Sequence, residues 1–461
     1  MTSPPDLRPD VSPTSQSGLA AFFNFYELRT NLKTEIVAGL TTFVTMAYIL
    51  IVNPAILSNA VFLNESGDLF GELVMATGLS AAIATLIMGL YAKLPFALAP
   101  GMGINAFFAF TVVLGMGVDW RVALAAVFVE GLIFIALTVT NLRSKIVSAI
   151  PEAVKHATTA GIGLFIAYIG LSAAGIVVGS EATLTTIGNL RSPQTAVTLL
   201  GLIITVALFA RRVPGSLLWG IIGTAILAWV FRIAPLPEGV FGLPQPPVDL
   251  VGQAFVGLGS LFQSGVFEML SVLFVFLFVD LFDTIGTLTG LGSKVGYIDD
   301  EGRFPGVEKA FMADAVGTTA GAVLGTSTVT TYIESASGIS EGGRSGFTAV
   351  VAAILFLVSL LLIPFFSGIP AYATAPALIL VGVLMMSGAR RIDWDDPAAA
   401  VAGFLTIAIM PLAYSIAEGL AMGLIAYPLI KAFQGKVNEI TVGMWVLAVI
   451  FILRYLFISA G

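Results

Sequence analysis

About fourteen apolar stretches follow one another from residue 35 onward, each long enough to span or half-span a bilayer, and two of them are broken in the middle. They lie at 35–57, 72–92, 97–115, 121–141, 151–175, 194–211, 215–233, 264–290, 307–325, 326–341, 346–367, 372–388, 397–415 and 416–433. A further stretch, 441–459, is either another span or a helix lying along the bundle. Only 11% of the 461 residues are charged and 57% are hydrophobic. A soluble domain keeps roughly a quarter of its residues charged, because its surface must be hydrated. The expected fold is therefore an all-α polytopic membrane protein.

Basic residues test the map. With the N-terminus inside, Arg29, Lys33, Lys93, Arg143, Lys145, Lys155, Arg211, Arg212, Lys294, Arg303, Lys309, Arg344, Arg390, Arg391, Lys431 and Lys436 all fall on the cytoplasmic side. Between residues 29 and 436 only Arg121, Arg191 and Arg232 fall outside. The positive-inside rule demands that asymmetry, and one missed span would scramble it. Residues 1–24 read as a disordered cytoplasmic tail: the first 20 are polar and rich in Pro and Ser, without the apolar stretch of a cleavable signal.

Several classes are excluded. The chain has no cysteine, so disulfides, thiolate chemistry and Cys-based metal sites are out. Its one histidine, His156, rules out a His-cluster metal site, and no cofactor is expected. The acidic balance, 28 acids against 21 bases, gives no sign of nucleic-acid binding.

An internal echo divides the chain. Segment five opens Ile150-Pro151 and carries Gly163; segment twelve opens Ile369-Pro370 and carries Gly382 at the same offset. The interrupted segments three and ten are also seven spans apart. An odd offset inverts the second copy relative to the first, as in inverted-repeat transporters. This places a first repeat at 25–233, an extracellular connection at 234–263, a second repeat at 264–433 and a C-terminal segment at 434–461.

Segment three contains Pro95, Pro100, Gly101, Gly103 and Asn105, so a helix is expected only from about Ile104. Segment ten runs from Gly325 through Thr326, Ser327, Thr328, Val329, Thr330, Thr331 and Tyr332 to Glu334 and Gly338. Its β-branched and hydroxyl residues suit a short extended piece leading into a half-helix. Irregular backbone at membrane depth is tolerated only where protein or a watery cavity satisfies it. A half-helix there offers free amides and a positive dipole end.

Segment eight carries Asp280 and Asp283 deep in an apolar helix, about 60° apart on one face, with Thr284 and Thr287 beside them. Each ionised acid at the bilayer centre costs about 2.5–3.5 kcal/mol on insertion scales. Two on one helix and Glu334 on another call for a function or a partner. The bland reading is that they cap broken helices or bond backbone. Glu130 in segment four and Asp314 in segment nine serve either packing or function. Asn53, before Pro54, reads as a local backbone satisfier, His156 as interfacial, and Glu418 as structural. Phe107, Phe108 and Tyr332 are core residues or stack on a flat ligand beside the breaks.

Three motifs carry a family resemblance: Gly101 to Phe110, Phe278 to Thr287, and Gly325 to Gly338. They resemble the AzgA-like hypoxanthine/guanine/adenine permeases of the nucleobase–cation symporter 2 family, and the similarity runs over nearly the whole chain after about residue 24. The resemblance implies a 7+7 inverted repeat with core and gate domains, two broken helices, and purine uptake driven by protons. It implies that Asp280, Glu334 and Asn105 line the purine site and that Asp283 supports binding or coupling. Phe107, Thr331 and Tyr332 join the candidate substrate-facing residues, with Asp283 and Asp280 as candidates for proton coupling. An inner (plasma) membrane location and a homodimer also follow from it. The uracil/xanthine branch has a different segment-ten signature, ending in Thr-Arg, where this chain has Glu334-Ser-Ala-Ser-Gly338.

Rival readings remain. An anion transporter of similar architecture would offer a positive or neutral site, not acids. An intramembrane aspartyl protease needs two aspartates facing each other from different helices, and here the pair shares one, so no enzyme is expected. A channel needs a continuous polar stripe, which no segment shows.

Overall fold

The computed structural model describes residues 18–140, 150–263, 265–298 and 304–457. Residues 1–17 of the expected tail, and Arg143, Lys145 and Arg303, lie outside them. Residues 18–24 of the expected tail are among the described ones. Leu19–Phe22 is helical, and Phe23 and Phe25 are buried against Phe347.

Each expected span has a counterpart. Segments one to seven are Leu32–Leu57, Phe70–Ala92, a break leading into Met102–Gly115, Trp120–Val139, Glu152–Ala173, Pro193–Ala210 and Ser216–Val230. Segments eight and nine are Val266–Val295 and Val307–Leu324, and segment ten is a break leading into Ser335–Ser340. Segments eleven and twelve are Gly346–Ser367 and Ala371–Arg391, followed by Pro397–Leu412 and Ile416–Phe433. The chain is thus a helical polytopic membrane protein, and nine of the described helices are long and apolar enough to cross a bilayer whole. Helix starts follow capping chemistry: Asn31, Ser192, Ser345 and Ser415 each accept a first-turn amide of segments one, six, eleven and fourteen. The stretch after segment seven forms Gln253–Leu258, which packs on segment four, with Arg121 Nε donating to Gln253 Oε1 at 3.0 Å. The C-terminal helix Val442–Phe457 packs on segment fourteen, where Glu418 accepts from Tyr455 and pairs with Arg454 at 2.8 Å.

The breaks show how the two halves correspond. Among the described residues there are four strands: β1 (Leu98–Pro100), β2 (Val177–Ser180), β3 (Leu184–Ile187) and β4 (Val329–Thr331). β2 and β3 form a hairpin after segment five. β1 of segment three and β4 of segment ten pair antiparallel, with Leu98 opposite Thr331, Ala99 opposite Thr330 and Pro100 opposite Val329. Each strand has a threonine on the preceding helix that closes its free edge. Thr85 of segment two donates to Leu98 O at 3.0 Å and accepts from Leu98 N at 2.9 Å. Thr318 of segment nine does the same for Val329, at 2.9 and 3.2 Å. Thr85 and Thr318 are seven segments apart, and so are Gly163 and Gly382. Those glycines meet backbone to backbone, and a Cβ on Gly382 would stand 2.4 Å from Gly163 O. The fold is a 7+7 inverted repeat whose equivalent residues meet at its centre.

Thr85→Val and Thr318→Val should destabilise the protein to a similar degree, by about 1–3 kcal/mol each, because each leaves a buried strand amide and carbonyl unsatisfied. Thermal unfolding of the purified detergent-solubilised variants checks this; a loss at one site alone would break the equivalence.

Candidate functional site

A cavity of about 460 Å³ lies between the broken segments and segments five and twelve. That size is in the range of small-molecule sites. One wall is formed by Tyr48 of segment one, Gly101–Gly103 of segment three, Phe282, Asp283 and Thr287 of segment eight, and Thr330–Glu334 of segment ten. The other comes from Lys155, His156 and Thr159 of segment five and from Val381, Met385 and Arg391 of segment twelve. Tyr48, Thr330 and Thr331 are buried at its inner end, whereas Glu152 and Arg391 are exposed at its mouth. Segments one, three, eight and ten form the core wall; segments five and twelve form the gate wall.

Besides Glu152 at its mouth, two carboxylates of the core wall line this cavity, Glu334 and Asp283. Glu334 stands immediately before the half-helix Ser335–Ser340, and its Oε1 accepts from Tyr48 Oη at 2.7 Å. Tyr332 lines the cavity with its ring, while its hydroxyl donates to Pro100 O at 2.5 Å and ties the two breaks together. Across the gap, Lys155 Nζ lies 5.4 Å from the centroid of the Phe282 ring and 2.8 Å from Glu152 Oε1. Gate and core therefore touch at the residue next to Asp283.

The other expected site residues sit behind the wall. Asp280 shares a helix with Asp283 but is fully buried, so the 60° between them is enough to turn one inward and the other to the cavity. Thr284 Oγ1 lies 3.4 Å from Asp280 Oδ1, 2.9 Å from Asp314 Oδ2 and 3.0 Å from Thr330 Oγ1. Thr331 donates to Asp314 Oδ1 at 3.2 Å. Glu130, also fully buried, accepts from Thr328 Oγ1 at 3.4 Å and is in hydrogen-bonding contact with Asp280. Glu130, Asp280 and Asp314 thus form one layer, joined to the cavity through Thr284, Thr330 and Thr331. Asn105 does not reach the lining; its Oδ1 accepts from Ser327, fastening one break to the other. Phe107 packs edge-on against Phe276, 4.9 Å between centroids, away from the cavity. Asn53 donates to Thr77 Oγ1 at 2.7 Å and Thr326 Oγ1 at 2.9 Å, joining segments one, two and ten through side chains where a local backbone role was expected.

Two residues escaped the sequence reading. Tyr48 sits where the α-helical bonding of segment one lapses at Ala47-Tyr48, with no proline to announce it; Pro54 lies within Ile49–Leu57 instead. Glu35 is fully buried in the first turn of segment one, where it accepts from Ser345 N, Thr348 N and Thr348 Oγ1 at 3.2, 3.2 and 2.6 Å. It caps segment eleven, and only its position near the membrane edge concealed it among ordinary interfacial acids.

These features can be set beside known proteins. The model of a permease family, Xan_ur_permease, matches residues 33–422. The chain belongs to this permease family. It is a transporter and not an enzyme. A permease of Methanocaldococcus jannaschii is 52% identical over 95% of this chain and 98% of its own length. The guanine/hypoxanthine permease PbuG of Bacillus subtilis is 44% identical over 96% of this chain and all of its own. The adenine permease AdeP of Escherichia coli is 40% identical over 97% of this chain and 98% of its own. Among solved structures, the transmembrane domain of the cyanobacterial bicarbonate transporter BicA matches with a TM-score of 0.58 at 17% identity, over 86% of this chain and 97% of that one. That likeness is one of fold.

Thr284→Val should cost about 1–3 kcal/mol, since it strips a shared hydroxyl from two buried acids. Thermal unfolding of the variant measures it, and an unchanged midpoint would show the hydroxyl to be idle.

Proposed function

We propose that the chain imports purine nucleobases (guanine, hypoxanthine and adenine) by proton symport across the inner membrane, with its N-terminus cytoplasmic. The observation that carries this reading is a cavity between core and gate walls whose core side presents the carboxylates of Glu334 and Asp283. Purines offer N–H donors on a flat edge, which an ionised carboxylate accepts in charge-assisted bonds. Relatives alike over their full length bear the names of guanine/hypoxanthine and adenine permeases. Uracil/xanthine transport is the second reading, favoured by the name of the family model alone.

In this reading Glu334 and Asp283 meet the base, with Thr331 and the ring of Tyr332 shaping the site. Asn105 and Phe107 act from behind by holding the breaks in place. Asp280 passes the coupling proton through the layer it shares with Glu130 and Asp314; two carboxyl groups in hydrogen-bonding contact need a proton between them. The exposed mouth at Glu152 and Arg391 lies at the ends of segments five and twelve assigned to the cytoplasm, so the conformation is the inward-open one. Transport proceeds as the core rocks against the gate, with Lys155 and Phe282 in contact at the seam. The repeats take residues 25–233 and 264–433, joined by the extracellular connection 234–263 and followed by the C-terminal segment 434–461, whose helix Val442–Phe457 lies along the bundle. The working unit is a homodimer.

One proton moved across about 100 mV supplies about 2.3 kcal/mol, enough for roughly a fortyfold gradient of base. Uptake of labelled guanine, hypoxanthine and adenine should be saturable, mutually competitive and abolished by a protonophore. Uptake indifferent to the protonophore would remove the coupling, and normal uptake by Glu334→Ala would remove the site. Uracil competing as well as guanine would favour the second reading.

A further inference from the structure

Among the described residues, the phenol of Tyr48 is the donor that reaches the Glu334 carboxylate from another segment, and its surroundings leave it little other use. Tyr48 is 1% exposed, and its Oη stands 2.7 Å from Glu334 Oε1. A phenol has a single proton, so this bond commits it. The neighbouring hydroxyls are spent elsewhere: Tyr332 on Pro100 O, Thr331 on Asp314, and Thr330 paired with Thr284. Glu334 itself is half-buried beside the cavity. A glutamate has three side-chain torsions, and one left loose in a watery cavity would lose that freedom each time a ligand bound.

The two residues are also mounted on one rigid support. The half-helix bearing Glu334 seats on segment one through Gly338, where a Cβ would fall 2.1 Å from Thr42 Oγ1 and 2.4 Å from Ala38 O. Thr45 Oγ1 comes within 3.5 Å of the Glu334 carbonyl from the same helix. Segment one therefore carries the phenol and the seat for the half-helix together, and both belong to the core wall.

We propose that Tyr48 is a positioning residue for the transported base. It holds one oxygen of Glu334 so that the other stays aimed into the cavity as an acceptor, before the ligand arrives and throughout the rocking of the core. The inference rests on the reading that Glu334 accepts the N–H donors of the base. A site arranged in advance binds without the cost of ordering its own side chain.

The test is uptake of labelled hypoxanthine by the full-length protein in proteoliposomes, with Tyr48→Phe, Glu334→Gln and the double variant. Tyr48→Phe should raise KM roughly tenfold, equivalent to about 1.4 kcal/mol, with Vmax within about twofold of wild type. Its unfolding midpoint without ligand should be unchanged, while the stabilisation produced by hypoxanthine shrinks. In the Glu334→Gln background the same change should have little further effect on KM, because groups acting through one contact are not additive. An unchanged KM, full additivity, or a fall in Vmax that tracks a lowered midpoint would overturn the proposal. If Glu334→Gln retains measurable transport too weak for a KM, the KM-against-Vmax split of Tyr48→Phe decides alone. Should Tyr48→Phe fold poorly, Tyr48→His retains a ring donor and should keep a KM nearer wild type than Tyr48→Leu; equal losses would again overturn it. Wild-type behaviour of Glu334→Gln would instead bring down the site assignment, an outcome separate from any result at Tyr48.

Discussion

Everything at the centre of this protein depends on finding partners for backbone that is neither helical nor hydrated. A strand of three residues inside an apolar bundle exposes amides and carbonyls that cost several kcal/mol each if left alone. The chain has two such strands, and they satisfy one another along one edge. Thr85 and Thr318 close the outer edges by using one hydroxyl as donor and acceptor to the same residue. Neither half could hold its break open without the other. The inverted repeat is therefore a structural necessity at this point, and the half-helices and cavity that it frames follow from it.

The polar side chains behind the cavity obey the same accounting. Asn105, Ser327, Thr284, Thr328 and the acids Glu130, Asp280 and Asp314 are buried to completion, and each takes part in a bond that links one segment to another. In a medium without water, such bonds do the locating that close apolar packing does in a soluble core, and they do it directionally. Hence a residue that resembles a ligand-binding group by its type can lie behind the cavity wall, bonded to a neighbouring segment. Asn105 is the clearest case: its motif position suggested contact with the base, and the structure gives it to Ser327.

The spans were legible because each is a long apolar run whose ends are marked by charge, caps and glycine, and those signals are local. The two breaks were legible for the same reason: Pro100 with Gly101, and the Thr/Ser run after Gly325, cannot continue a helix. The pairing of those breaks was only implied, by their spacing. What stayed hidden was direction across the helix. Asp280 and Asp283 differ by three positions, and no local signal says that neighbours packed between them would send one into the interior and the other to the cavity. Tyr48 and Glu35 were hidden more completely, because their importance lies in partners about 290 and 310 residues away in sequence, Glu334 and Ser345. Contacts of that range leave no periodicity to read.

The division into two walls adds a last constraint. The core wall is tied together across segments one, three, eight and ten by strand pairing, Asn105–Ser327, Tyr332–Pro100, Tyr48–Glu334 and Thr284–Thr330. The gate wall is joined by the glycine crossing of segments five and twelve, which needs no side chain at all. Between the walls, the interaction next to Asp283 is the contact of Lys155 with Phe282, and Lys155 also answers to Glu152 on its own helix. A cation held over a ring is a soft contact, worth about 0.5–1 kcal/mol where water can reach it. Directional bonds within the core and a yielding contact at the seam are the distribution of stiffness that rigid-body rocking requires. A ligand seated on Glu334 and Asp283 would then sit on the stiff side and be released by motion of the yielding one.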